Sequence, residues 1–403
     1  MIALPVYGQI VSKTMKHLPD TGDTTGYTST FGEDNDFSIF PPYFVDNGNG
    51  TITDTVTGLM WQKSDAGEMT IENARQYCDT LMLGGYTDWR LPSAHEGFSI
   101  LNLNRLNPAL DTVFFANNHA DYWWSSDMDI SDTTKIWVTN AGGGIGNHPR
   151  SETISAGGVK KFHTRVVRDV VTPPVVPLHF TDNGNGTITD NLTTLVWQKN
   201  LITDTLNWEQ ALNYADTLSL AGYSDWRLPN IKELQSIADL TTSNPAFNAL
   251  FTIGTGNKSI WSSTTQFNNP PNAWYLNSLT GITTYISKTK NLYVLCVRGG
   301  VFVTNQINQT TKPEIVSGAF PNPVTNRLTI NYYQHDALSV KLVIGNTAGF
   351  KVFEKDIVGF ADGPNQFVLE TNNLPEGIYL YSIELVGQDK AIQKFSGKFV
   401  LVK

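Results

Sequence analysis

Two stretches of nine residues, 46–54 and 182–190, carry the same letters, DNGNGTITD. Their carboxylates and amides are the first candidates for chemistry. A calcium loop draws oxygen ligands from Asp, Asn and backbone carbonyls. The EF-hand pattern needs oxygen side chains at its first, third and fifth positions. Here the third and fifth are Gly48 and Gly50, so that site cannot form. A looser set of Asp46, Asn49 and Asp54 keeps calcium as the one cofactor the sequence suggests. A phosphate cradle needs a glycine loop that opens a helix, and this loop opens a β-rich run. The plainest reading is a hairpin turn, because Gly takes positive φ without a Cβ clash and Asn tolerates it.

The second duplicated motif is Asp-Trp-Arg-Leu-Pro, with Trp89 and Arg90 in the first copy and Trp226 and Arg227 in the second. The arginines could hold an anion or a sugar. The favoured alternative has Trp in the core and Arg paired with a carboxylate or carbonyls at a strand–helix junction. Ser93 with Glu96, and Asn230 with Glu233, have capping-box spacing directly after each motif. Four tryptophan pairs are duplicated (Trp61/Trp197, Trp89/Trp226, Trp124/Trp261, Trp137/Trp274) and read as core. Trp123 and Trp208 have no counterpart, which makes them the candidates for exposed ligand-binding roles. Histidines do not support catalysis: His95 matches Lys232, and no HExxH, CxxC or GxSxG occurs. No catalytic residue or metal ligand is assigned, although carboxylates paired across the fold stay open. The glycine-rich 142–146 reads as a mobile loop. Cys78 lies in a helix where the second copy has Ala215, and Cys296 in a strand where the first has Val166. They are either two buried unpaired thiols or a bridge between the copies.

These motifs need elements to position them. Each copy runs hairpin, a Trp-Gln-Lys strand, helix, Asp-Trp-Arg-Leu-Pro, capped helix, then further strands. The first helix, over 70–81, shows one apolar stripe at Ile71, Ala74, Cys78 and Leu81. The order of strands, two helices and strands predicts an α+β module with an antiparallel sheet. The expected boundaries are a lead-in over 1–42, which reads as loop or extended arm and whose apolar start could be the tail of a signal peptide or a first strand. A first module follows over 43–170, a Pro-rich linker over 171–178, and a second module over 179–300. A linker over 301–313 then leads to a small β-sandwich over 314–403, where short alternating runs are separated by Gly, Pro, Asn and Asp turns.

Only 16% of the 403 residues are charged, and the net charge is −9. That surface suits an exported β-rich protein. With no Lys/Arg cluster it excludes nucleic acid and anionic lipid as natural partners. No apolar run approaches the roughly 18–20 residues of a transmembrane helix.

The ordered motifs, from DNGNGTITD through Trp-Gln-Lys, Gly-Gly-Tyr-Thr-Asp-Trp-Arg-Leu-Pro and Trp-Ser-Ser to a terminal Val-Arg, resemble the Lcl C-terminal domain family, over about 43–170 and 179–300. The Arg-Leu-Pro and capped helix are also similar to formylglycine-generating enzymes. The resemblance implies a C-type-lectin-like fold for each module. The family's named member is a collagen-like adhesin that binds glycosaminoglycans, and the acidic balance here argues against that ligand. The family commonly holds both cysteines in one module, whereas each module here keeps one. The catalytic cysteine pair of the formylglycine-generating enzymes has no counterpart. The last 90 or so residues resemble the C-terminal sorting domain of type IX secretion in Bacteroidota, through Pro321, Asn322 and Pro323, then Gly377 and Tyr379, and the terminal Lys403. That implies an immunoglobulin-like sandwich, the type IX machinery as partner, and a secreted or outer-membrane-surface location in a Gram-negative cell. The function expected is a non-enzymatic binding or adhesion protein, with a glycan or protein ligand met by the loops of two modules. The alternatives are an exported enzyme acting on polysaccharide or protein, and a spacer without ligand. Because the repeated stretch reads as scaffold, the ligand is expected where the copies differ, at 127–149 and 264–272.

Overall fold

A computed structural model describes residues 11–12, 15–38, 40–116, 120–152, 162–170, 175–176, 178–299, 302–303, 318–320, 324–334, 337–346, 350–357, 363–387 and 392–403. The expectations for 1–10 and for Pro321, Asn322 and Pro323 lie outside these residues. The chain divides into two compact units, Met1–Phe302 and Val303–Lys403.

In the first unit the duplicated stretch folds twice the same way. Phe44–Asp46 and Thr51–Asp54 form an antiparallel hairpin, and Leu59–Gln62 and Val167–Asp169 extend the sheet. Ile52, Trp61 and Val167 stand side by side in register, each buried. The second copy repeats this with Phe180–Asp182, Thr187–Asp190, Val196–Gln198 and Val297–Arg298, aligning Ile188, Trp197 and Val297. The turn works as the glycines predict: Gly48 and Gly50 take φ of 74° and 85°.

Helix α1 spans Ile71–Thr80, capped by the Thr70 hydroxyl, and buries Ile71, Ala74 and Cys78. Helix α2 is Ala94–Ser99, with a complete capping box between Ser93 and Glu96. Their counterparts are α3, Trp208–Thr217, and α4, Ile231–Ser236, the latter boxed by Asn230 and Glu233.

Each module has two sheets, not one. The second is made of Tyr122–Met128, Lys135–Asn140 and Ile145–Pro149 in one copy, and of Ser259–Thr265, Asn272–Asn277 and Thr283–Ser287 in the other. In the first copy Phe162–His163 joins Tyr122–Met128 in parallel. The two strands between them supply the long crossover that parallel pairing requires. Residues 142–146 are not a mobile loop. Gly143, Gly144 and Ile145 are buried, and the turn packs on Leu103 and on Trp274 of the second copy.

The modules are not beads on a linker. One core cluster holds Phe44, Trp61, Phe98 and Leu101 together with Phe180, Trp197, Leu234 and Phe247. The contact is reciprocal, as in a two-fold dimer. Gly143 and Gly144 approach Trp274, while Gly281 approaches Trp137. At the linker, Val175–Val176 pairs with Val11–Ser12. The lead-in is irregular but packed. Leu103 donates its N–H to the Thr21 carbonyl, and Asp34 accepts both the Thr21 and the Thr264 hydroxyls, at 2.8 and 2.6 Å.

The second unit has two antiparallel sheets around one core of residues such as Leu328, Ile344, Ile383 and Phe399. One sheet joins Gly318–Phe320, Arg327–Gln334 and Gly363–Glu370, and the other Lys351–Ile357, Ala337–Asn346, Gly377–Gly387 and Ile392–Leu401.

Candidate ligand-binding site

The repeated charged residues are consumed by the scaffold. Arg90 makes a two-pronged pair with Glu96 at 2.7 and 2.8 Å and reaches Asp169 at 3.1 Å. Arg227 pairs with Glu233 at 2.6 Å on both prongs. Each glutamate also accepts the N–H of its own helix cap, Ser93 or Asn230. One carboxylate therefore fixes a strand end and a helix start together. Trp89 and Trp226 are buried and donate to the Leu83 and Leu220 carbonyls. Asp88 and Asp225 hold Arg168 and Arg298, whose guanidinium groups lie over Tyr86 and Tyr223.

The looser calcium set is not gathered. Asp46 sits at the turn, salt-bridged to Lys63 at 2.6 Å. Asp54 lies at the far end of the hairpin opposite Phe44, where it is buried and accepts the Val56 and Thr57 N–H groups. Among the described residues, no group of three or more His, Cys, Asp or Glu could hold a metal.

Trp123 and Trp208, expected at exposed positions, are buried at 7% and 0% exposure. Their indole N–H groups donate to Asp65 and to the Ser262 carbonyl. Their equivalents in the other copy, Ile260 and Ile71, are buried as well, so these are core positions in both copies. Cys78 and Cys296 are both unpaired and buried, each in its own module's core, so no bridge joins the copies. Burial pushes the Cys78 thiol up to about 11, and burial raises that of Cys296 further.

The segments where the copies differ meet at the seam between the modules. They line a cleft of about 580 Å³. Asn140, Ala141, Gly142 and Gly144 come from the first, and Gln266 and Asn268 from the second. Asn107, Asp121, Thr283, Thr284 and three aromatics, Tyr122, Trp274 and Tyr285, supply the rest of its chemistry. Trp274 is buried and meets Tyr285 edge-on at 5.4 Å, while Tyr285 is 46% exposed. Asn140 is held by the Gly142 and Gly144 N–H groups, and Gln266 by Asn272. These amides are thus pre-oriented by their neighbours. Sequence reading located the two segments but could not foresee that they face one another, nor that Trp274, a duplicated residue, would stand at the cleft.

A second cavity, of about 500 Å³, lies along the seam between α2 and α4. Its lining is more apolar, although the charged or titratable side chains of His95, Asp127, His179, Asp190, Lys232 and Asp239 and the Gln235 amide also line it.

The sequence profile of the Lcl C-terminal domain matches residues 50–168 and again 186–298, more than half of the chain. The chain belongs to the Lcl C-terminal domain family. Both matches fall in the first unit, so the seam cleft is made by a pair of Lcl C-terminal domains. Residues 318–397 match the secretion system C-terminal sorting domain. This tandem Lcl C-terminal domain protein is therefore a secreted or cell-surface protein of the Bacteroidota that engages the type IX secretion machinery. Among the described residues no helix is long and apolar enough to cross a membrane. Of its sorting residues, Gly377 opens a strand and Tyr379 is buried, its hydroxyl donating to the Pro375 carbonyl. Lys403 bonds Glu376 and the Asn372 carbonyl.

No curated protein matches the chain. Among solved structures, CopC from Methylosinus trichosporium OB3b is similar at 17% identity, over 21% of this chain and 93% of its own, with a TM-score of 0.17. Dimeric latent PorU from Porphyromonas gingivalis is similar at 12% identity, over 69% of this chain and 24% of its own, with a TM-score of 0.22. Neither superposition reaches the level of a shared overall fold.

Proposed function

We propose that this is a non-enzymatic surface or secreted binding protein, and that its ligand is a neutral glycan held in the cleft between the two modules. The observation that carries this is the cleft's lining. Amides and hydroxyls from Asn107, Asn140, Gln266, Asn268 and Thr284 line it together with the rings of Tyr122, Trp274 and the exposed Tyr285. Neutral sugars present hydroxyls that both donate and accept, and apolar C–H faces that lie on aromatic rings. Concave sites with few oriented polar groups suit such ligands. Of the residues lining the cleft, Asp121 alone carries a carboxylate. Glycoside hydrolysis needs two, which favours binding over turnover at this place.

Because the cleft is shared, the tandem acts as one site, not as two sites linked for avidity. We infer also that each module is C-type-lectin-like and the last unit immunoglobulin-like. The family membership supports the first, with the first and last strands of each module closing in one sheet. Two antiparallel sheets around one core support the second. A glycan array probed with the full chain tests the function. Binding to neutral oligosaccharides, weakened about 5–30-fold by Tyr285→Ala from the loss of roughly 1–2 kcal/mol of ring contact, is the expected result. Binding to no neutral glycan, or binding indifferent to Tyr285, overturns it.

A further inference from the structure

The two copies treat one equivalent position differently. In α4, Lys232 is 1% exposed, and its ammonium crosses the seam to the carbonyls of Ser99 and Asp20, at 2.7 Å each. The carboxylates of Asp20, Asp54 and Asp34 favour its charge against the cost of burial. In α2 the equivalent residue is His95, shorter and turned to the Gln235 carbonyl at 3.0 Å.

Part of the surroundings of that ammonium is reproduced in the other half, though Asp20 lies before the repeat and has no counterpart there. Ser236 is the counterpart of Ser99, and Asp190 the counterpart of Asp54, with Asp190 also met by the His179 ring at 3.4 Å and by the Thr193 hydroxyl at 2.6 Å. Asp34 reaches the start of α4 through the Thr264 hydroxyl, which accepts the Ile231 N–H. In the first copy one residue, Asp127, does both jobs, accepting the Ala94 N–H directly at 2.8 Å. Ser236, Asp190 and Asp127 all line the 500 Å³ cavity beside His95. The cavity is thus the space that an aliphatic ammonium fills on the other side of the seam.

Two further observations point to an occupant. Gln235 lines the cavity and is fully buried, yet neither amide atom has a hydrogen-bond partner among the described residues. A buried amide left so is costly unless something meets it. Met15, Leu18, Phe98 and Leu240 add apolar wall. They match a methylene stem, as the stem of a lysine packs on apolar surface. Lys232 lines one end, but its ammonium is already committed to its own carbonyls.

We propose that this cavity binds a primary ammonium group on a short aliphatic stem, either a free alkylamine or a lysyl side chain of another polypeptide. This site is separate from the glycan cleft and does not depend on that reading.

The test titrates the full chain at pH 7 with n-pentylamine, with 1-pentanol as its neutral isostere, and with N-acetyl-lysinamide. Calorimetry supplies the readout. Saturable pentylamine binding, at least tenfold tighter than pentanol, is expected. Lysinamide binding as tight as pentylamine assigns the site to a lysyl side chain, and weaker lysinamide binding assigns it to a free amine. His95→Lys, which supplies its own ammonium, should abolish amine binding and raise the melting temperature. Equal affinity for amine and alcohol, no saturation by about 20 mM amine (weaker than roughly 2–3 kcal/mol), or undiminished binding to a folded His95→Lys chain overturns the proposal. Should that variant fail to fold, the amine–alcohol comparison on the unmodified chain decides alone.

Discussion

Glu96→Ala and Glu233→Ala, the same change at equivalent positions, should destabilise the chain by different amounts. Both glutamates close a capping box and bind an arginine through two prongs. The capping contribution, about 1 kcal/mol, is common to both and cancels in the comparison. The arginines differ. The Arg227 side chain is 3% exposed, and without Glu233 it keeps one carbonyl, that of Gly299, at 3.3 Å. A buried charge left without its partner costs about 3–5 kcal/mol. The Arg90 side chain is 37% exposed and keeps Asp169 at 3.1 Å, with water at hand. Its loss should be about 1–2 kcal/mol, nearer the worth of a charged hydrogen bond. All 10 tryptophans lie in the first unit, so their fluorescence during urea unfolding follows that unit alone. A gap of at least about 1 kcal/mol, with Glu233→Ala the worse, is expected from these ranges. Equal losses, or the reverse order, would refute the argument that these motifs act as scaffold through burial.

Three further outcomes follow from the same structure. Burial, with Asp34 beside it, pushes the Asp23 carboxyl up to about 8, and burial pushes Asp34 up to about 6. A carboxyl raised on folding holds its proton more tightly in the folded state. Its stabilisation is complete below its unfolded value near 4 and is lost as pH rises to about 8. The first unit should therefore lose about 1.4 kcal/mol per pH unit between about pH 6 and 7.5, and Asp23→Asn should flatten that slope. Lys288 and Lys232, both lowered to about 8 by burial, act in the opposite sense only above that pH. For the cysteines, mass spectrometry should show the same intact mass with and without reductant, and alkylation at pH 8 only after unfolding. Finally, Gly281→Ala places a Cβ 2.8 Å from Leu240 at a φ of 78°, and should cost about 1–3 kcal/mol by the same urea assay. A cost under about 0.5 kcal/mol would mean that this turn packs loosely on Leu240.

The local structure was legible because each device is short-range. Asn-Gly pairs make the hairpin, Thr70 starts α1, and Ser93 with Glu96 and Asn230 with Glu233 start α2 and α4. What escaped was long-range. Nothing local says that Gly143 and Gly281 are approached by Trp274 and Trp137 of the other copy. A Pro-rich stretch between repeats looks the same whether the modules separate or share a core. The lead-in, whose Thr and Asp residues show no period, read as loop. It is buried in part, and one of its buried residues, Asp34, meets Thr264, a partner 230 residues away. Trp123 and Trp208 misled for a related reason, since a tryptophan's burial depends on what packs over it. The cleft was half-legible: divergence between the copies marked its two segments, and only folding brought them together.

The central claim is that two fused modules make one ligand site at their seam. Calorimetric titration of the full chain with a neutral oligosaccharide taken from the array measures this most directly, through its stoichiometry. One ligand per chain, with binding weakened by Tyr285→Ala in the second module and separately by Asn140→Ala in the first, is the predicted result. Two ligands per chain, or binding that survives both substitutions unchanged, would contradict it.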